Sequence, residues 1–167
     1  MSKKPPGATP AQIVNSRRPG GVDDIARLML DSIPFSTVVI DQEGVIAGVN
    51  QAWQDFALTN GVETGKPVKG TDVGDNYFAA CKRSTFFQND DSIKLSEAIK
   101  QVLYGRSGGF SYEYPCHSPK QKRWFNMIVL PLETDPRSVV ISHIDITENK
   151  DKETALRKNS CQVIKFK

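Results

Sequence analysis

Residues 36–50 read STVVIDQEGVIAGVN, and the fold is decided there. Ser36–Asp41 is a short β-rich run, Gln42-Glu43-Gly44 supplies a turn, and Val45–Val49 follows as its partner, which predicts a tight hairpin. Asn50 then stands where a helix N-cap belongs, ahead of Trp53, Phe56 and Ala57 at i, i+3 and i+4. Asn60-Gly61 closes that helix with residues that tolerate left-handed geometry. Upstream of the hairpin, Val22, Ile25, Leu28, Met29 and Ser32 recur at helical spacing, with Asp23 and Asp24 favourably placed near the start. Ile33-Pro34 ends that helix, because the residue before a proline is pushed out of the α region.

Downstream, residues 61–75 hold four glycines and one proline. A long irregular segment inside a compact domain is often functional. A short helix is expected over Tyr77–Lys82. Asp91–Tyr104 carries the clearest helical stripe (Ile93, Leu95, Ala98, Ile99, Val102, Leu103), with Gly105 as its stop. Three strands are expected at about 109–116, 122–131 and 137–146, broken by Pro-Cys-His-Ser-Pro and Glu-Thr-Asp-Pro. Asp145-Ile146-Thr147-Glu148 leads into a charged terminal helix that Asp145 or Thr147 can cap. Heptad steps from Ile146 reach Glu153 and Ser160, so no coiled-coil seam is sustained.

The composition sets the frame. Of 167 residues, 38% are hydrophobic and 25% charged, which describes one ordinary globular domain with tails. Residues 1–21 contain four prolines and three glycines and almost no apolar periodicity, so they read as a disordered leader. That leader carries +4 and residues 148–167 carry +3; the whole chain carries +3, which leaves −4 on residues 22–147. The basic character belongs to the tails, and a nucleic-acid surface needs a basic patch on the body, so no nucleic-acid partner is expected. No apolar run approaches the ~20 residues of a membrane helix, and no secretory signal opens the chain. Cysteines at 81, 116 and 161 form neither a metal pair nor a disulfide framework, which points to a reducing, cytoplasmic setting.

The order of elements and their residues together resemble a PAS (sensory-box) domain of bacterial signal-transduction proteins. The resemblance is carried by Leu30–Pro34 before STVVID…GVIAGVN, the helix with Trp53 and Phe56, and Gly74-Asp75-Asn76-Tyr77. It continues through Tyr114–Pro119, Arg123-Trp124-Phe125 and Ser142–Thr147, and covers roughly residues 22–150. It implies an α+β PAS fold with a five-stranded antiparallel sheet in order 2-1-5-4-3, cupping a small-molecule pocket against its helices. It implies residues 22–147 as the sensor and 148–167 as an output helix or linker, a homodimer formed through flanking helices, and Asp145 and Thr147 as the motif that couples sensing to output. The downstream effector would be a kinase or cyclase, such as a histidine kinase of a two-component system or a cyclic-dinucleotide enzyme. Neither a cyclase signature nor kinase nucleotide-binding boxes occur in this chain, which reads as a single-domain sensor or as the sensing piece of a longer one.

Cofactor readings can be weighed against residue chemistry. A haem needs an axial ligand, and helix 91–104 offers no histidine, cysteine or methionine; His143 on the last strand is the alternative. A photoreceptive flavin needs a poised cysteine, and Cys81 is placed for it, yet the Asn-Cys-Arg-Phe-Leu-Gln run is absent, and a buried small hydrophobe is the simpler reading. A non-covalent flavin stacked on Trp53 or Trp124 remains open. Cys116 and His117, adjacent on a strand, point to opposite faces and form no catalytic pair, so no enzyme is expected.

In 122–131 both alternation series are apolar: Trp124, Ile128 and Leu130 on one, Phe125, Met127 and Val129 on the other. Both sheet faces are therefore expected to be covered, with helix 22–32 or a second subunit on the outer one. Asn126, Tyr112 and Ser142 are polar groups among apolar neighbours, either satisfied core residues or ligand contacts. Tyr77, Ile99, Tyr112, Trp124, Asn126 and Ser142 are the expected ligand contacts. The rival reading is a ligand-free dimerisation or protein-interaction module, its pocket filled by Phe56, Tyr77, Phe78, Tyr112 and Trp124.

Overall fold

The computed structural model describes residues 22–61, 65–83, 89–116, 122–133 and 137–163. The leader 1–21 and the His117 turn lie outside the described residues. In chain order the elements are α1 (Val22–Asp31), β1 (Ser36–Ile40), β2 (Ile46–Val49), α2 (Gln51–Thr59), α3 (Tyr77–Arg83), α4 (Asn89–Leu103), β3 (Phe110–Pro115), β4 (Trp124–Leu132), β5 (Ser138–Asp145) and α5 (Thr147–Val163). The five strands form one antiparallel sheet in the expected order, β2-β1-β5-β4-β3.

The β1–β2 hairpin forms because Asp41 and Gly44 chemically define its turn. The Asp41 carboxylate accepts the Glu43 and Val45 amides at 3.0 and 2.8 Å. Gly44 sits at φ 76°, which only glycine adopts without strain, and Phe78 packs where a side chain would stand. Beyond it, Asn50 is fully buried and uses its whole hydrogen-bonding capacity. Its Oδ1 accepts the amides of Thr37 and Trp53, both at 2.9 Å, and its Nδ2 donates to the carbonyls of Ile33 and Phe35 at 3.0 and 2.8 Å. One side chain thus caps α2, fixes the start of β1 and anchors the α1–β1 turn. At the other end of α2, Asn60 has φ −107°, so no left-handed cap forms. Gly61 is required for a different reason: a Cβ there would collide with the Lys66 carbonyl.

The inner face of the sheet is read off its register. Val38, Ile141 and Val129 form one row, and Ile40, Val139 and Pro131 the next. Leu95, Ile99, Val102 and Leu103 of α4 join these rows in the main core. Ile93 of the same stripe is exposed. Toward the other end of the strands the inner rows are Ser36–His143–Met127–Tyr112 and Phe125–Tyr114. Of these, Ser36, His143, Phe125 and Tyr114 face residues of α2 and α3, whereas Met127 and Tyr112 join the main core.

One expectation is corrected here. Helix α1 does not seal the outer face of the sheet: Ile25, Leu28 and Met29 are 52%, 68% and 66% exposed. The Asp31 carboxylate accepts the Gln51 amide at 2.8 Å, which ties the end of α1 to the start of α2 instead. The outer face itself carries half-buried Trp124, Asn126 and Ile128 and an exposed Leu130, so its cover is partial.

Candidate functional site

Between the second half of the inner face and helices α2 and α3 lies a cavity of about 120 Å³. Alternation in the strands delivers Ser36, Tyr114, Cys116, Phe125 and His143 to it; α2 contributes Trp53, Phe56 and Ala57, and α3 contributes Tyr77, Ala80 and Cys81. Val68 and Thr71 come from the glycine-rich segment after α2, which the structure ties down at several points. The Trp53 indole N–H donates to the Thr71 carbonyl at 2.9 Å, and the Val68 amide donates to the Ala57 carbonyl at 3.0 Å. Ile46 and Asp75, and Gly74 and Ile46, are joined through their backbones.

The polar centre of this cavity is a buried chain built on His143. The Tyr114 hydroxyl lies 2.7 Å from Nδ1, and the Tyr77 hydroxyl 3.4 Å from Nε2. Burial pushes His143 down to about 4, so the imidazole is neutral at physiological pH, one nitrogen accepting and the other donating. The shorter contact fits the Tyr114 hydroxyl donating to Nδ1, leaving Nε2–H directed at Tyr77. Burial raises both phenols well above their ordinary value, and the Tyr77 hydroxyl bonds onward to Cys81. The Cys81 thiol is pushed up to about 11 by burial, the Tyr77 bond only partly opposing it, and Cys116 is raised by the same cause. Both cysteines are therefore thiols rather than thiolates at neutral pH, which makes them weak ground-state nucleophiles. Aromatic rings complete the wall: Trp53 lies 5.8 Å from the His143 ring, and Phe56 meets Phe125 edge-on at 5.7 Å.

Of the residues expected to contact a ligand, Tyr77 borders the cavity. Ile99 is buried in the main core, and Tyr112 packs against that core from the edge strand β3, at the far end of the row that holds the cavity residues Ser36 and His143. Trp124, Asn126 and Ser142 lie on the outer face: Asn126 is paired with Glu113 and Ile144, and Ser142 with Thr37 and Ile128. The Ser142 hydroxyl is 3.0 Å from that of Thr37, and the buried Oδ1 of Asn126 meets no hydrogen-bond partner among the described residues. The reason is the pleat: shifting the inward series by one residue sends every side chain of a strand to the other face. The parity was available in β3, where Phe110, Tyr112, Tyr114 and Cys116 alternate with Ser111, Glu113 and Pro115, and in β5, where Val139 and Ile141 lead to His143.

Asp145 and Thr147 form a compact junction. The Asp145 carboxylate accepts the Thr147 amide at 2.9 Å and the Thr147 hydroxyl at 2.5 Å, and that hydroxyl accepts the Trp124 amide at 3.0 Å. One turn later, Lys150 pairs with Glu113 at 2.6 Å and lies 5.7 Å over the Trp124 ring. The start of α5 is thus fastened to β3, β4 and β5 together.

Residues 30–151 match the family model described as the PAS fold. The chain belongs to the PAS family. A 104.1 kDa protein encoded in the hypE 3′ region of Rhodobacter capsulatus, itself uncharacterized, is 36% identical to this PAS domain over 124 residues, 74% of this chain and 13% of that protein. The PAS domain of Bordetella pertussis BvgS superposes with a TM-score of 0.51 at 16% identity, over 83% of this chain and 96% of that one. The PAS domain of the Cronobacter turicensis RpfR quorum-sensing receptor, solved with BDSF, gives 0.46 at 18% identity, over 68% of this chain and 95% of that one. No helix among the described residues of this PAS domain is long and apolar enough to cross a membrane.

The residues of this PAS domain do not suit a haem or a flavin. Both ring nitrogens of His143, the ligand expected for haem, already face tyrosine hydroxyls. A cavity of about 120 Å³ is far below the ~300 Å³ at which pockets for drug-sized molecules begin, and an isoalloxazine or porphyrin exceeds it. Trp53 borders the cavity, whereas Trp124, the other stacking candidate, is on the opposite face.

Proposed function

We propose that this PAS domain binds a small molecule between α2, α3 and the sheet and passes the change in occupancy to an effector through α5. One observation carries the reading: β5 serves both sites. His143 stands in the cavity wall, and two residues along the same strand Asp145 caps α5. A ligand that alters the Tyr114–His143–Tyr77 chain acts on a strand whose end holds the output helix. Differential binding to two arrangements of β5 and α5 is then sufficient for signalling. The effector would be a histidine kinase or a cyclic-dinucleotide enzyme, and the chain's 13% share of its Rhodobacter relative suits a sensing module within a larger protein.

The proposal has the domain working as a homodimer in the cytoplasm. Exposed Ile25, Leu28 and Met29 at i, i+3 and i+4 on α1 support that, since an apolar stripe of this kind is normally covered. Binding without chemistry is supported by the site itself, whose thiols are protonated and whose imidazole has both nitrogens engaged.

The test combines a metabolite panel, read by melting temperature, with amide exchange along α5. A binder should raise the melting temperature and change exchange in residues 147–157. In Asp145→Ala the melting shift should persist while the α5 response is lost. Global unfolding of Asp145→Ala, or an α5 response equal to that of the parent, sinks the coupling role.

A further inference from the structure

The cavity wall is more selective than a generic sensor pocket. Among the described residues that border it there is no Lys, Arg, Asp or Glu, so a carboxylate, phosphate or ammonium entering it would lose hydration without gaining a partner. Its side-chain donors are already engaged inside the protein. Ser36 Oγ donates to the Ala52 carbonyl at 3.2 Å, Thr71 Oγ1 to the Val68 carbonyl at 2.7 Å, and Trp53 Nε1 to the Thr71 carbonyl at 2.9 Å. Tyr114, His143 and Tyr77 satisfy one another. What faces the space is aromatic carbon, three small aliphatic groups (Ala57, Val68, Ala80) and two thiols.

Size narrows the choice further. A protein cavity of ~150 Å³ accommodates benzene. This site is somewhat smaller, at about 120 Å³, but it is partly open to solvent. A single six-membered ring with little or no substitution can therefore enter and leave its substituent at the mouth. Cys81 and Cys116 on the wall favour an aromatic ring over an alkyl chain, because divalent sulfur packs well against ring edges. Trp53, Phe56 and Phe125 supply the edge-to-face surfaces that another ring prefers.

We infer that the ligand of this site is an uncharged, compact, single-ring aromatic molecule, held by shape and ring contacts rather than by a charge or a strong hydrogen bond. The inference rests on the sensor reading for its purpose but not for its chemistry. Toluene and benzoate, titrated into the full chain, test it. Toluene should raise the melting temperature saturably and perturb Trp53 fluorescence. Benzoate should bind at least about tenfold more weakly, the least that an unpaired buried charge imposes. Ala80→Phe, which projects a ring from α3 into the space, should remove the toluene shift while circular dichroism remains that of the parent. If Ala80→Phe does not fold, Ala80→Val should weaken toluene binding in proportion to the volume lost.

No toluene response, benzoate binding as tight as toluene, or an undiminished response in a folded Ala80 variant overturns the inference. Failure of the sensor reading looks different. Toluene would then bind as expected while α5 exchange stayed unchanged. Conversely, a larger or charged metabolite that shifts both melting and α5 exchange would keep the sensor and discard the single-ring ligand.

Discussion

Asn50 shows how much one buried polar side chain can hold. Replacing it with Ala strands two amides and two carbonyls from three segments. At about 1 kcal/mol for each of the four hydrogen bonds lost, the change should destabilise the domain by roughly 4 kcal/mol, a large share of the 5–15 kcal/mol that holds such domains together. Urea unfolding should show the midpoint falling with the slope unchanged. Asn50→Asp keeps the acceptor, loses both donors and should recover only part of the loss. His143 makes a prediction of a different kind. Folded, it takes a proton only near pH 4; unfolded, near its ordinary 6.5. Between these values the unfolded chain binds a proton that the fold rejects, so stability falls as pH drops through that window, by up to about 3 kcal/mol. Melting temperatures measured from pH 7 to 4.5 should decline, and His143→Gln should flatten this decline even though it lowers stability at pH 7. An equally steep acid limb in that variant would assign the effect to carboxylates instead.

At the scale of elements, the junction between β5 and α5 couples unequal partners. The sheet end is held by continuous ladders, whereas α5 past its first turn is exposed and stabilised by surface pairs such as Lys152–Glu148 and Arg157–Glu153. Exposed pairs of this kind contribute little, because solvent screens them and long side chains must be ordered to form them. The helix therefore depends on its cap, and losing the Asp145 carboxylate should cost about 1 kcal/mol, concentrated in α5. Amide exchange in residues 147–157 should accelerate in Asp145→Ala while β4 and β5 remain protected. An element that responds to its cap and barely to the core is suited to relay a small displacement of β5.

For the whole molecule, α1 carries three of the exposed large hydrophobic side chains among the described residues on one helical stripe. A second copy covering Ile25, Leu28 and Met29 would bury it, and Leu28→Asp should then convert the protein to monomers without lowering the melting temperature of the isolated domain. Sedimentation equilibrium of the two proteins checks this. A parent that is monomeric at high micromolar concentration contradicts the dimer. The outer sheet face, with half-buried Trp124 and exposed Leu130, lies open to the same partner.

Local chemistry was legible in the residues alone: the Asp41–Gly44 turn, the Asn50 cap, the α4 stripe and the strand segments, all set by interactions within a few residues along the chain. From these, with the family resemblance, came the sheet order. What the residues did not reveal was which face of each strand points inward. In β4 both series are apolar, so hydrophobicity cannot choose between Trp124–Asn126–Ile128 and Phe125–Met127–Val129, and the ligand contacts expected on the first series lie on the outer face. The position of α1 was equally hidden, because it hangs on Asp31 reaching Gln51, a contact across 20 residues. The tertiary structure alone brought Tyr114, His143, Tyr77 and Cys81 into one buried chain. Their separation in sequence exceeds any local period, and only the register of three paired strands and the docking of α3 makes them neighbours.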